Sequence, residues 1–120
     1  MKEKVYIAGA YRSKHLIGII YNIYKARKAG MKLAATGKWV FVPHLAWALF
    51  DGIQPDWFWL ECGKEMVRYC DTIYMLKKWY YSKGAIEELK LARELNKKVV
   101  FEEDFYEFIP EIKWSNAIWT

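Results

Sequence analysis

Two stretches close to one another constrain this chain more than any other: Asp71-Thr72-Ile73-Tyr74-Met75-Leu76, and then Ser82-Lys83-Gly84-Ala85-Ile86-Glu87-Glu88. The first reads as a buried strand, and the second as a Gly-containing turn running into the first turns of a helix that carries carboxylates. In an open α/β sheet, ligands bind beyond the carboxyl end of a strand, at a helix N-terminus. A second segment has the same form, Val5-Tyr6-Ile7-Ala8 running into Gly9-Ala10-Tyr11-Arg12-Ser13. One junction offers an Arg and the other a Ser and a Glu, a combination that points to an anion site beside a reactive carboxylate.

The rest of the chain supports a sheet of this kind. Lys4 to Ala8 predicts the first strand, about Ile17 to Thr36 a helix, Trp39 to Val42 the second strand, and Asp56 to Tyr69 a helix with Asp56 as its N-cap. In the first helix Ile19, Ile23, Ala26, Gly30 and Leu33 fall on one face, with Lys25, Arg27, Lys28 and Lys32 on the solvent side. Thr72 to Leu76 is the third strand, Ser82 to about Leu95 a helix, and Val99 to Phe101 the fourth strand. Alternation of strand and helix implies a parallel sheet with helices on both faces. At 120 residues, residues 1–120 form one domain, with 102–120 as an aromatic-rich extension that packs on the domain or on a partner subunit.

Composition narrows the functional classes. Aromatic residues make up 18% of the chain, with seven Trp and nine Tyr, more than one small core needs, so some are expected to line a pocket or an interface. The net charge of +5 suits an anionic ligand. The lysines are scattered over helix faces and form no nucleic-acid motif, so nucleic acid is not the expected partner. Cys62 and Cys70 have no metal-binding spacing and read as reduced core thiols, so a cytoplasmic location and no metal are expected. No apolar leader or membrane-length apolar run is present, and no membrane association is expected.

Each candidate site residue has two readings. Glu88 can attack or electrostatically stabilise an anomeric carbon, or sit at the surface where a helix N-terminus favours it anyway, with Glu87 as the adjacent alternative. Ser82 can cap its helix, and its hydroxyl can hold a phosphate together with the backbone N–H groups of Gly84 and Ala85. Arg12, just beyond Gly9, can grip a phosphate bidentately or lie in solvent. Tyr6 can hydrogen-bond a catalytic carboxylate or pack as a core aromatic. His44 follows the second strand, where ligand residues occur, or stands on the rim. Asp71 can cap the start of the third strand or assist catalysis. Glu61 and Glu65, at i and i+4 on the preceding helix, can supply a second carboxylate or face solvent.

Taken in order, Val5-Tyr6-Ile7-Ala8-Gly9, Asn22 with Ala26 and Ala29, Pro43, Cys70 through Leu76, Trp79, Ser82-Lys83-Gly84-Ala85, Glu88 and Ala92 resemble the nucleoside 2-deoxyribosyltransferase-like superfamily over about residues 4–101. Within it the chain looks most like a small group of uncharacterised, often phage-borne or prokaryotic proteins that form a domain of unknown function. The resemblance implies a flavodoxin-like doubly wound fold with a four- or five-stranded parallel sheet, assembled as a homo-oligomer whose pocket is completed by a neighbouring subunit, to which Trp47, Trp57 or Tyr residues would contribute. It implies cleavage of the N-glycosidic bond of a nucleoside or nucleotide, by hydrolysis or by transfer, with no cofactor. It places the catalytic Glu at Glu88, the phosphate-binding Ser at Ser82, the loop Arg at Arg12 and the strand Tyr at Tyr6. The superfamily's Asp on the helix before the third strand falls on Gly63 here, with Glu61, Glu65 or Asp71 as substitutes. That departure motivates an alternative: a non-catalytic nucleotide-binding or assembly module of the same fold.

Overall fold

The computed structural model describes residues 2–50 and 52–103. Asp51 and the aromatic-rich extension from residue 104 onward, expected to pack on the domain or a partner, lie outside the described residues. Four strands, β1 (Lys4–Ala8), β2 (Trp39–Phe41), β3 (Thr72–Met75) and β4 (Lys98–Phe101), form one sheet in the order β2-β1-β3-β4, with every pairing parallel. The helices are α1 (Leu16–Ala35), the single turn α2 (Pro43–Ala46), α3 (Asp56–Tyr69) and α4 (Lys83–Glu94). A 3₁₀ turn, Trp79–Tyr81, precedes α4.

The side-chain alternation of the strands divides the core in two. Val5 and Ile7 of β1, with Tyr74 and Leu76 at β3, pack against Ala26, Ala29 and Leu33 of α1. Tyr6 and Ala8, with Ile73 and Met75, pack against Val67 of α3 and Ala85, Leu89 and Ala92 of α4. Both faces of β1 and β3 are therefore covered, as an all-parallel sheet requires. The result is a doubly wound, flavodoxin-like α/β fold. Its strand order reverses between β1 and β3, and that switch point opens a crevice at their carboxyl ends.

Two sequence expectations are corrected here. Lys32, placed on the solvent side of α1, is only 4% exposed, and burial lowers its pKa. A long aliphatic stem can lie along apolar surface, so periodicity alone misplaces it. Asp56 is not the N-cap of α3: Pro55 holds that position without a side-chain cap, and Asp56 is the first helical residue. Its carboxylate turns instead to Arg12.

Candidate active site

Three segments converge on the crevice. The first is the loop after β1. Gly9 is required there because a Cβ would stand 2.6 Å from Leu76 Cδ1 and 2.8 Å from Leu76 Cβ, inside van der Waals contact with the end of β3. The loop is then pinned from two sides. Asn22 Nδ2 donates to the carbonyls of Tyr11 at 3.1 Å and Arg12 at 3.3 Å. His44 Nε2 lies 3.2 Å from both the Gly9 and the Ala10 carbonyl oxygens. Two acceptors facing Nε2 fix the proton on that nitrogen. Burial pushes the His44 pKa down to about 4, so the ring is neutral near pH 7. Its Nδ1 is buried and has no hydrogen-bond partner among the described residues. His44 thus both holds the loop and lines the cavity.

The second segment is the start of α4. Ser82 is its N-cap in extended conformation, and Oγ accepts from Ala85 N at 3.1 Å. That bond satisfies one of the orphan amides of the first turn, and Ser82, Lys83, Gly84 and Ala85 of that turn line the cavity. Two turns' worth of chain places Glu88 beneath them, 8% exposed. Tyr6 Oη, from the centre of β1, donates to Glu88 Oε2 at 2.5 Å. Burial pushes the Glu88 pKa up to about 7; the Tyr6 hydrogen bond and the charge of Lys64 act in the opposite sense. Burial, reinforced by the neighbouring carboxylate, raises the Tyr6 phenol well above its ordinary value, so Tyr6 stays the donor of the pair. A buried carboxyl poised near pH 7 at the side of a cleft is suited to nucleophilic or acid–base work.

The third segment is α2 with the start of α3. Phe41, Trp47, Phe50 and Trp59 form a continuous aromatic wall, with ring centroids 5.8 Å apart at each successive contact from Phe41 to Trp47 to Trp59 to Phe50. Trp47, Phe50 and Trp59 face a cavity of about 720 Å³ whose other sides are Tyr6, Arg12, Ser82, Gly84, Ala85 and Glu88. The cavity therefore has a flat apolar end and a polar end formed by the start of α4 and the Arg12–Asp56 pair, with the buried Glu88 carboxyl between strand and helix. A planar aromatic ligand group joined to an anion fits that division.

Of the residues singled out in the sequence, Tyr6, Gly9, Arg12, His44, Ser82, Gly84, Ala85 and Glu88 all line this one cavity. Asp71 and Glu65 do not. Asp71 precedes β3 at the opposite end of the sheet, where Oδ2 accepts from Lys4 N at 2.8 Å, a strand's length of roughly 13 Å from the crevice. Glu65 is on the exposed side of α3, 3.5 Å from Arg68 Nε, and Glu61 likewise pairs with Lys64. The residue of α3 that does reach Tyr6 and Glu88 is Gly63: a Cβ there would lie 2.6 Å from Tyr6 Oη and still closer to Glu88 Oε2. Sequence reasoning gave no role to Asn22, to Asp56 as the carboxylate partner of Arg12, or to Phe50 and Trp59 as cavity wall. Their spacing carries no signal, because each reaches the site across a tertiary contact. Trp47 and Trp57 line the cavity of their own chain.

No curated protein matches the chain. Over residues 3–101, which span the whole sheet and every segment of the cavity, it matches the family described as Domain of unknown function (DUF4406), and the chain belongs to that family.

Proposed function

We propose that this chain cleaves the N-glycosidic bond of a nucleoside 5′-monophosphate, as a hydrolase or a transferase of the nucleoside 2-deoxyribosyltransferase-like kind, with Glu88 as the nucleophile. The observation that carries this reading is the Tyr6–Glu88 pair, a buried carboxyl with a pKa near 7 held at 2.5 Å by a phenol inside a cavity with an aromatic end and an end lined by Arg12 and the start of α4. The base stacks on Trp47, Phe50 and Trp59. The 5′-phosphate takes the free amides at the start of α4, the Ser82 hydroxyl and the Arg12 guanidinium. Ionised Glu88 attacks the anomeric carbon as the bond to the base breaks. The glycosyl–Glu88 ester then passes its sugar to water or to a second base. The Ser82 and Arg12 pair favours a phosphorylated substrate and hydrolysis over transfer between free nucleosides. The exposed Ile17, Ile20, Tyr21 and Tyr24 on α1 favour a homo-oligomer.

The test is incubation with ribo- and deoxyribonucleoside 5′-monophosphates, with free base followed by chromatography. Base release by the wild type that disappears in Glu88→Gln is the expected result. Release that survives this substitution would remove Glu88 from the chemistry.

One observation favours a second reading. The α3 position nearest the pair is Gly63, so no acid stands there to protonate the departing base. A nucleotide-binding or assembly module without turnover would show thermal stabilisation by nucleotides and no base release.

A further inference from the structure

A second cavity, of about 460 Å³, lies at the same strand ends on the α1 side of the sheet. Its walls include Lys25 and Lys28 of α1, Lys77 and Lys78 in the turn after β3, and Glu102 beyond β4. Among the described residues these walls thus include four lysines and one glutamate, and the Lys25 ammonium lies 4.8 Å over the ring of Tyr21. That carboxylate is already engaged, since Glu102 Oε1 accepts from Lys77 N at 2.9 Å. Lys32 lies close behind, buried, with the charges of Lys28 and Lys77 adding to the burial that lowers its pKa. So many cations gathered at one concave place produce a strongly positive local potential.

Ala10 and Tyr81 line both this cavity and the candidate active site. The two therefore adjoin across a crest formed by the loop after β1 and the turn before α4. Ser82, the proposed phosphate ligand, is the residue next to Tyr81 on that crest. A phosphate at Ser82 would therefore stand one residue along the chain from Tyr81, a side chain that the two cavities share.

We infer that the lysine-lined cavity is a second anion site that takes the phosphates a nucleotide carries beyond the one at Ser82, so that the preferred ligand is a nucleoside polyphosphate. This inference rests on the nucleotide reading of the first cavity. Lysines on flexible stems suit it, because they act as adjustable point charges for phosphates whose positions vary along the chain.

The test is calorimetric titration of the full chain with deoxyadenosine 5′-monophosphate, deoxyadenosine 5′-triphosphate and inorganic triphosphate, for the wild type, Lys25→Gln/Lys28→Gln and Lys78→Gln. The wild type should bind the nucleoside triphosphate at least about tenfold more tightly than the monophosphate, a difference that one or two added charge contacts supply. The lysine variants should lose most of that advantage while binding the monophosphate as the wild type does. Equal affinities in the wild type, or an advantage that survives in every variant, would overturn the inference. Tighter binding of a short single-stranded oligonucleotide than of the triphosphate would overturn it in favour of nucleic acid. Lysine-dependent binding of inorganic triphosphate with no binding of either nucleotide would support the anion site and sink the nucleotide reading, so the two failures are distinguishable.

Discussion

Gly63 and Glu88 occupy one another's space: the carboxylate of Glu88 fills the volume that any side chain at position 63 would need. The bare backbone of α3 is what allows a buried carboxyl to fold back beneath Tyr6. Gly63→Ala should therefore destabilise the protein by about 1–3 kcal/mol, the usual cost of overpacking. Because Tyr6 is locked in the core, the carboxylate is the group that must move. It should be expelled toward the cavity and its pKa should fall. Chemical denaturation and a carbon-detected NMR titration of the Glu88 carboxyl check the two halves separately.

Glu88 ties stability to pH. Its pKa is raised from 4.5 to about 7, so the folded chain holds this proton more tightly than the unfolded chain. The stabilising contribution of protonated Glu88 is full below about pH 4.5 and is lost as pH rises through about 7. At pH 8 the ionised, buried carboxylate costs on the order of 3 kcal/mol relative to a solvated one. Glu88→Gln should thus gain on the wild type as pH is raised from 4.5 to 8, read as the difference in Tm between the two. A constant difference across that range would mean the carboxyl is not perturbed.

Tyr6→Phe separates the hydrogen bond from the burial. The phenol stabilises the ionised form of Glu88, and its removal should raise the Glu88 pKa further. If Glu88 must be ionised to react, base release should rise with pH through about 7 in the wild type. In Tyr6→Phe the same limb should lie at higher pH. A lowered plateau with an unmoved limb would assign Tyr6 to packing alone.

Ser82 has a capping role that is visible and a ligand role that is proposed, and two substitutions tell them apart. Ser82→Ala should cost about 1 kcal/mol through loss of the bond to Ala85 N. Ser82→Asp keeps a good N-cap, so stability should be retained, while the added charge repels a phosphate. Retained melting temperature with lost monophosphate binding is the expected result for Ser82→Asp. Retained binding would restrict Ser82 to capping.

Arg12 is held by Asp56 across the mouth of the cavity, with both side chains more than half exposed. An incoming anion competes with that carboxylate. Exposed pairs of this kind are worth about 0.2–1 kcal/mol, so Asp56→Asn should tighten monophosphate binding by roughly up to fivefold. Titration at low and high salt provides the check, since the gain should shrink as salt screens it.

What the sequence shows and what it hides divide along physical lines. Strands and helix starts are local: β-branched and aromatic runs place β1 and β3, and Ser82 before Lys83-Gly84-Ala85 places the start of α4. Glu88 follows from that start by helical spacing. The placement of Asp71 and Glu65 away from the crevice is not legible, because adjacency in the chain says nothing about which end of a strand, or which side of a helix, faces it. The burial of Lys32 is not legible either, because its charge outweighs its stem in any periodicity. The closeness of Gly63 to Glu88, 25 positions apart, is decided by how α3 and α4 lie side by side and has no local trace.

Tyr6 is a wall of the core with one face and the partner of Glu88 with its hydroxyl. The proton of the Glu88 carboxyl and the folding of β1 are consequently fastened by the same bolt. A mutation that loosens β1 also retunes the carboxyl, so this position has little room to vary independently of the sheet. The freer ground for altering the shape of the cavity is the aromatic wall of α2 and α3, which bounds it from outside the sheet.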